Sequence, residues 1–282
     1  MDQRIIHLYD EYTHKPLTRK EFLERLAKLA GGTAAAMAVL PLLESCSTPA
    51  KTQAGDLFTE YVTYAGVNGE MKAYVARPSA NKRYAAVVVI HENRGLNAHI
   101  EDVARRAAKA GYLAIAPNAL APLGGTPANE DDARQLFTQL KPEESLQNFI
   151  RVFDYLKTRK DTNGRYGCVG FCWGGLMANN LAIRVPDLRA AVAFYGRQPE
   201  TAEVTKIKAA LQLHYASLDE RVNAGIAAYE EALKKAGTRY ELYIYEGVNH
   251  AFHNDTSAAR YNEAAARLAW QRTLAFFEKY LG

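Results

Sequence analysis

The hydrophobic pattern divides the chain in two. Near the start, Phe22, Leu26 and Leu29 recur at helical spacing, and Thr18 with Glu21 makes a capping-box pattern just ahead of them. A weakly apolar run rich in Ala and Gly follows over 29–43. It gives way to the small and turn-forming residues Ser45-Cys46-Ser47-Thr48-Pro49-Ala50. From about Asp56 the pattern is that of a folded domain. Segments 61–64 and 71–76 read as short strands joined through Gly66-Val67-Asn68-Gly69, a hairpin signal. Segment 85–90 is a continuous apolar run, as expected of a strand buried on both faces. Further strands are predicted at 112–116, 165–169, 190–195, 209–215 and 240–245. Helices are predicted at 100–110, 130–140, 143–159, 176–184, 221–236 and 258–280, and a Pro- and Gly-punctuated loop at 119–129. A hairpin followed by alternating strands and helices predicts an α/β fold. One mostly parallel central sheet carries helices on both faces.

Composition narrows the class. A length of 282 residues suits one large α/β domain or two small ones. The net charge of +4 is a small excess among 35 basic and 31 acidic residues. The basic residues are scattered, so no nucleic-acid footprint is expected. The three cysteines, Cys46, Cys168 and Cys172, have neither zinc-site nor disulfide-framework spacing, so no metal is expected; Cys168 reads as a small core residue.

Residues 1–54 are expected to be an export signal and linker, and 55–282 the functional domain. A basic region, a modest apolar region and a small-residue segment together resemble a signal sequence. Thr18-Arg19-Lys20-Glu21-Phe22-Leu23 is similar to a twin-arginine signal with Lys20 in place of the second arginine. Leu43-Glu44-Ser45-Cys46 resembles a lipoprotein processing site, which would put a lipid anchor on Cys46. Cleavage after Ala54 is the alternative. The expected location is the periplasm or cell envelope. The competing reading is a cytoplasmic amphipathic helix. The apolar run is too short and too broken, by Gly and by Pro41, for a stable membrane span.

The chemistry centres on Gly170-Phe171-Cys172-Trp173-Gly174-Gly175, set between a strand and a helix. That layout is a nucleophile elbow, with Cys172 where serine is usual. An elbow enzyme needs an acid and then a histidine at the ends of later strands. Asp219 and His250 stand in that order, in loops after 209–215 and 240–245; His253 is a less well placed competitor. The loop His91-Glu92-Asn93-Arg94-Gly95 ends the strand 85–90. Backbone N–H groups of Asn93 and Trp173 are the expected oxyanion donors, and Glu92 is a charge partner that biases the thiol between its neutral and thiolate forms.

On these residues, together with His250-Ala251-Phe252, the chain from about Asp56 resembles the dienelactone hydrolase family, a branch of the α/β-hydrolase fold. The resemblance implies a Cys172–Asp219–His250 triad acting on a lactone or small ester, without metal or organic cofactor. It also implies that Glu92 contacts the cysteine at rest and moves away when substrate binds. The family's arginine in the loop matching 118–122 is absent, and its second arginine, four residues beyond the histidine, is here Asn254. Arg94 or Arg197 could replace the lost charge, and Tyr195 could line the pocket. Three rivals stay open: a broad-specificity esterase, a thiol-dependent acyltransferase, and a hydrolase-fold protein that binds a ligand without turning it over.

Overall fold

The computed structural model describes residues 1–44 and 55–282; Cys46 and the expected cleavage point after Ala54 lie outside them. Eight strands form one sheet: β1 (Leu57–Ala65), β2 (Glu70–Pro78), β3 (Tyr84–Ile90), β4 (Leu113–Asn118), β5 (Thr162–Phe171), β6 (Leu188–Phe194), β7 (Ala210–Ala216) and β8 (Tyr240–Tyr245). Their order is β1-β2-β4-β3-β5-β6-β7-β8. The expected hairpin is the antiparallel β1–β2 pair, and β2 also runs antiparallel to β4. From β4 through β8 every pairing is parallel.

Side chains alternate across the sheet, and both faces are covered. In β3, Ala86, Val88 and Ile90 face one core with Phe149 and Leu181. Ala85, Val87 and Val89 face the other with Val103 and Phe277. The first core lies under α6 (Pro142–Thr158), α7 (Trp173–Arg184) and α9 (Ile226–Ala236). The second lies under α4 (Ala98–Lys109) and α10 (Glu263–Leu281). This two-faced burial is why β3 reads as an unbroken apolar run.

Three expected helices differ in extent. The helix expected at 130–140 is α5 (Glu130–Phe137). The one expected at 221–236 is two, α8 (Glu220–Asn223) and α9. The break falls at Gly225, a poor residue for a helix interior, and Gln198 Nε2 there donates to Val222 O at 3.2 Å. The helix expected from 258 begins at Glu263, because Asn262 caps it by accepting from the Ala265 N–H.

Residues 1–44 form three helices, α1 (Gln3–His14), α2 (Arg19–Ala30) and α3 (Thr33–Glu44). The Thr18–Glu21 capping box is formed in full. The three helices share a separate apolar cluster in which Phe22 and Leu26 are wholly buried beside Tyr9, Tyr12, Ala36 and Leu40. The Ala-rich run thus has an apolar face with a partner. No single helix among the described residues is long and apolar enough to cross a membrane. Only α2 and α3 together reach that length, and they are bent by 111°.

Candidate active site

The parallel strands deliver their following loops to one end of the sheet, where ligand sites of such folds gather. Cys172 follows β5 with φ 56° and ψ −113°, a backbone that a side-chain-bearing residue adopts only under strain. Neighbouring glycines make the turn possible. A Cβ on Gly170 would sit 1.8 Å from the Gly174 carbonyl oxygen, and one on Gly174 would sit 2.4 Å from that of Ile90. The Cys172 N–H donates to Phe194 O at 3.0 Å, which ties the elbow to β6.

Asp219 and His250 meet beside it. His250 Nδ1 lies 2.5 Å from Asp219 Oδ2, and both side chains are buried. Asp219 also caps α8 by accepting from the Val222 N–H, so it does both jobs open to it in the sequence. With Nδ1–H committed to Asp219, Nε2 is the acceptor nitrogen, and it is buried without a hydrogen-bond partner. Burial disfavours the His250 imidazolium, but Asp219 and a Cys172 thiolate outweigh it, raising the group to about 10. Burial likewise raises the Cys172 thiol; His14 and His250 reverse this and bring it down to about 6. His253 lies elsewhere, stacked on Phe171 at 5.0 Å, and burial holds it neutral.

The β3 loop departs from its expected arrangement. The carboxylate of Glu92 accepts from Asn254 Nδ2 at 2.7 Å and from Tyr195 Oη at 3.3 Å. Its expected contact with the cysteine is replaced, because the residue at the family's second-arginine position is here a neutral amide that reaches Glu92. Asn93 Nδ2 donates to Thr13 O at 2.8 Å, and Arg94 Nη1 donates to Asn93 Oδ1 at 2.8 Å. Arg94 also faces Glu130 at 3.8 Å, so its charge is partly spent. Trp173 stacks on His91, ring centres 5.4 Å apart. Tyr195 is wholly buried at φ 38°, its ring 4.9 Å from that of His250. Arg197 is exposed at the rim.

The residue facing the thiol was not among those named from sequence. His14, the last residue of α1, lies with Nε2 3.2 Å from Cys172 Sγ. Its Nδ1 is 2.9 Å from Asp10 O and 3.1 Å from Asp10 Oδ1. The ring is edge-on to His250 at 4.7 Å. Arg221 Nε lies 3.4 Å from Asp10 Oδ2, and the Arg260 guanidinium covers the Tyr9 ring. The readable signal was the spacing of Asp10 and His14, four apart and so on one helix face. A cavity of about 480 Å³ opens here between the two parts of the chain. Thr13, His14 and Pro16 line one side; Cys172, Trp173, Tyr195 and Arg197 line the other.

Cys172, His14 and His250 each offer one ligand atom, and the three atoms lie within 4.8 Å of one another. These are donor types that zinc accepts, but they are three where a structural zinc site has four. A metal held there would mask the sulfur as a nucleophile.

Residues 71–281 match the model of the dienelactone hydrolase family. A Synechocystis sp. protein named "putative carboxymethylenebutenolidase" is 33% identical over 244 residues, spanning 80% of this chain and 98% of its own. A protein of the same name from Methylorubrum extorquens is 30% identical over 263 residues, spanning 88% and 89%. Among solved structures, a "putative dienelactone hydrolase" from Klebsiella pneumoniae superposes with a TM-score of 0.72 at 28% identity. It covers 79% of this chain and 99% of that one, and the fold is α/β-hydrolase-like.

Proposed function

The chain belongs to the dienelactone hydrolase family and is a hydrolase, and from that premise we propose that it cleaves a lactone or small carboxylic ester through Cys172, His250 and Asp219. The observation that carries the reading is the elbow itself. Cys172 stands in strained geometry at a cavity wall, with a carboxylate-backed imidazole beside it whose Nε2 is otherwise unspent. In the proposed reaction the Cys172 sulfur adds to the ester carbonyl. Its proton goes to an imidazole, and the leaving oxygen takes it up as the carbon–oxygen bond breaks. Water then adds to the thioester and gives its proton to His250. The tetrahedral intermediate expels the sulfur, which takes that proton back, and the acid is released. Backbone N–H groups of Trp173 and Asn93 are the proposed oxyanion donors, each worth roughly 3–4 kcal/mol in a comparable hydrolase.

Among the arginines named from sequence, Arg197 is the better partner for a charged substrate group. It is exposed at the cavity, whereas Arg94 is engaged by Asn93 and Glu130. The test is Cys172→Ala, assayed against a panel of activated esters and lactones alongside circular dichroism. Turnover should fall by at least about 1,000-fold with the fold unchanged. A variant that keeps more than a few per cent of wild-type turnover would overturn the nucleophile assignment.

A further inference from the structure

We propose that His14, oriented by Asp10 on the N-terminal helix α1, is a second base of the active site: it takes the Cys172 proton during acylation, leaving His250 to activate the deacylating water. The proposal rests on the hydrolase reading above and adds to it a catalytic residue outside the domain that defines the family, whose model matches residues 71–281.

Three observations carry it. The first is the protonation pattern that the contacts impose. His14 Nδ1 lies 2.9 Å from Asp10 O, a carbonyl that can only accept, so Nδ1 carries the hydrogen and in the neutral ring Nε2 is the acceptor, 3.2 Å from the sulfur; Asp10 Oδ1 stands 3.1 Å away as an ion-pair contact without a hydrogen bond. His14 thus presents an imidazole nitrogen to Cys172 beside His250, the two rings edge-on with centres 4.7 Å apart. The second is the state of His250. Its Nε2 is buried with no hydrogen-bond partner, while the sulfur is engaged with His14. A ring nitrogen not spent on another protein group is placed to exchange a proton with a substrate water once the sulfur is acylated.

The third is that α1 is held where it is by the domain it serves. The last carbonyls of a helix lack partners within it. Here Tyr12 O accepts from Arg134 Nη1 at 3.2 Å and Thr13 O accepts from Asn93 Nδ2 at 2.8 Å. Tyr12 Oη donates to Asp131 at 2.6 Å, and the Arg134 guanidinium lies 4.2 Å from the Tyr12 ring centre. Three domain side chains, Arg134, Asn93 and Asp131, therefore hold Tyr12 and Thr13, the two residues ahead of the imidazole that meets the thiol.

The two bases divide the reaction without conflict. For acylation the S–H bond breaks and its proton passes to His14 Nε2, which leaves a thiolate–imidazolium pair, and the sulfur then bonds to the carbonyl carbon. The imidazolium returns that proton to the leaving oxygen when the carbon–oxygen bond breaks. In deacylation His250 Nε2 takes a proton from water and gives it to the sulfur as the thioester is cleaved. Each imidazole ends the cycle as it began, and neither must change partners between steps.

The experiment separates the two half-reactions by stopped flow with p-nitrophenyl acetate at about pH 6, where an ordinary thiol is protonated. The p-nitrophenolate leaves without a proton, so the burst rate reports on thiol deprotonation and attack. In His14→Gln the burst should slow by about 100-fold, within the range for loss of a general base. The deacylation rate should stay within about twofold of wild type. In His250→Gln deacylation should suffer more than the burst. Asp10→Asn keeps the imidazole in place and should slow the burst by a smaller factor, which guards against misfolding of the His14 variant. A burst in His14→Gln that is unchanged, or faster than wild type as for a plug withdrawn from the cavity, overturns the proposal. If that occurs while Cys172→Ala shows neither burst nor turnover, the hydrolase reading stands and only the role of His14 falls.

Discussion

At the scale of the residue, two cysteines of one strand-and-turn unit have opposite chemistry because of what surrounds them. Cys168 lies inside β5 with no charge nearby, and burial alone pushes its thiol up. Cys172, four residues on, is just as enclosed, but His14 and His250 outweigh burial and bring it down to about 6. The sign for reactivity follows directly. Below that value the sulfur is a thiol and alkylates slowly; above it the sulfur is a thiolate and alkylates fast. The rate of iodoacetamide modification should therefore rise through about pH 6, and peptide mass analysis should place the label on Cys172 and not on Cys168. In His14→Gln one cationic neighbour is gone, so the midpoint should move to higher pH. A wild-type midpoint at or above the ordinary cysteine value of about 8.5 would contradict this account.

At the scale of the element, the elbow is a joint among β3, β5, β6 and α7. Gly174 is its tightest contact with β3, because a Cβ there would meet Ile90 O at 2.4 Å and His91 O at 2.6 Å. Both obstacles are backbone, which cannot rotate aside. Gly174→Ala should therefore push α7 away from β3, lower stability by about 2–3 kcal/mol in the manner of an overpacked core, and displace Cys172. Chemical denaturation with an activity assay checks it; unchanged stability and turnover would show that the elbow tolerates a Cβ. Contacts of this kind explain why the triad was legible in the sequence. The motif needs small residues at fixed spacing, and its acid and histidine come in a fixed chain order, so Cys172, Asp219 and His250 could be named before their meeting was seen. The break between α8 and α9 falls at Gly225, a glycine inside the helical pattern that could have signalled it. The actual setting of Glu92 was not legible, since it depends on Asn254, 162 residues away.

At the scale of the whole molecule, the open question is the N-terminal segment. Its composition resembles an export signal. Local patterns said only that a capped helix begins at Thr18; that α1 ends against Cys172, 158 residues away, could not be read from any local pattern. The two readings lead to different mature proteins. If the segment is a cleaved signal, the working enzyme starts near Gly55. Arg134 and Asn93 then lose Tyr12 O and Thr13 O, Arg221 and Arg260 lose Asp10, and the cavity loses the wall containing Thr13, His14 and Pro16. If the segment belongs to the site, the working enzyme keeps it wherever the protein resides. Retention is compatible with export only when processing spares residues 1–44. The contacts of α1 with the domain argue for retention: Tyr12 Oη donates to Asp131 at 2.6 Å, Thr13 O accepts from Asn93 Nδ2 at 2.8 Å, and Asp10 faces Arg221 at 3.4 Å. The prediction is that protein isolated from its own cells, separated into cytoplasmic and envelope fractions, has an intact mass that includes α1 wherever ester-hydrolysing activity is found. A chain starting near Gly55 should show the slow acylation expected of His14→Gln. Full specific activity in such a shortened chain would return the segment to the role of a signal and leave Cys172 with His250 as its only imidazole.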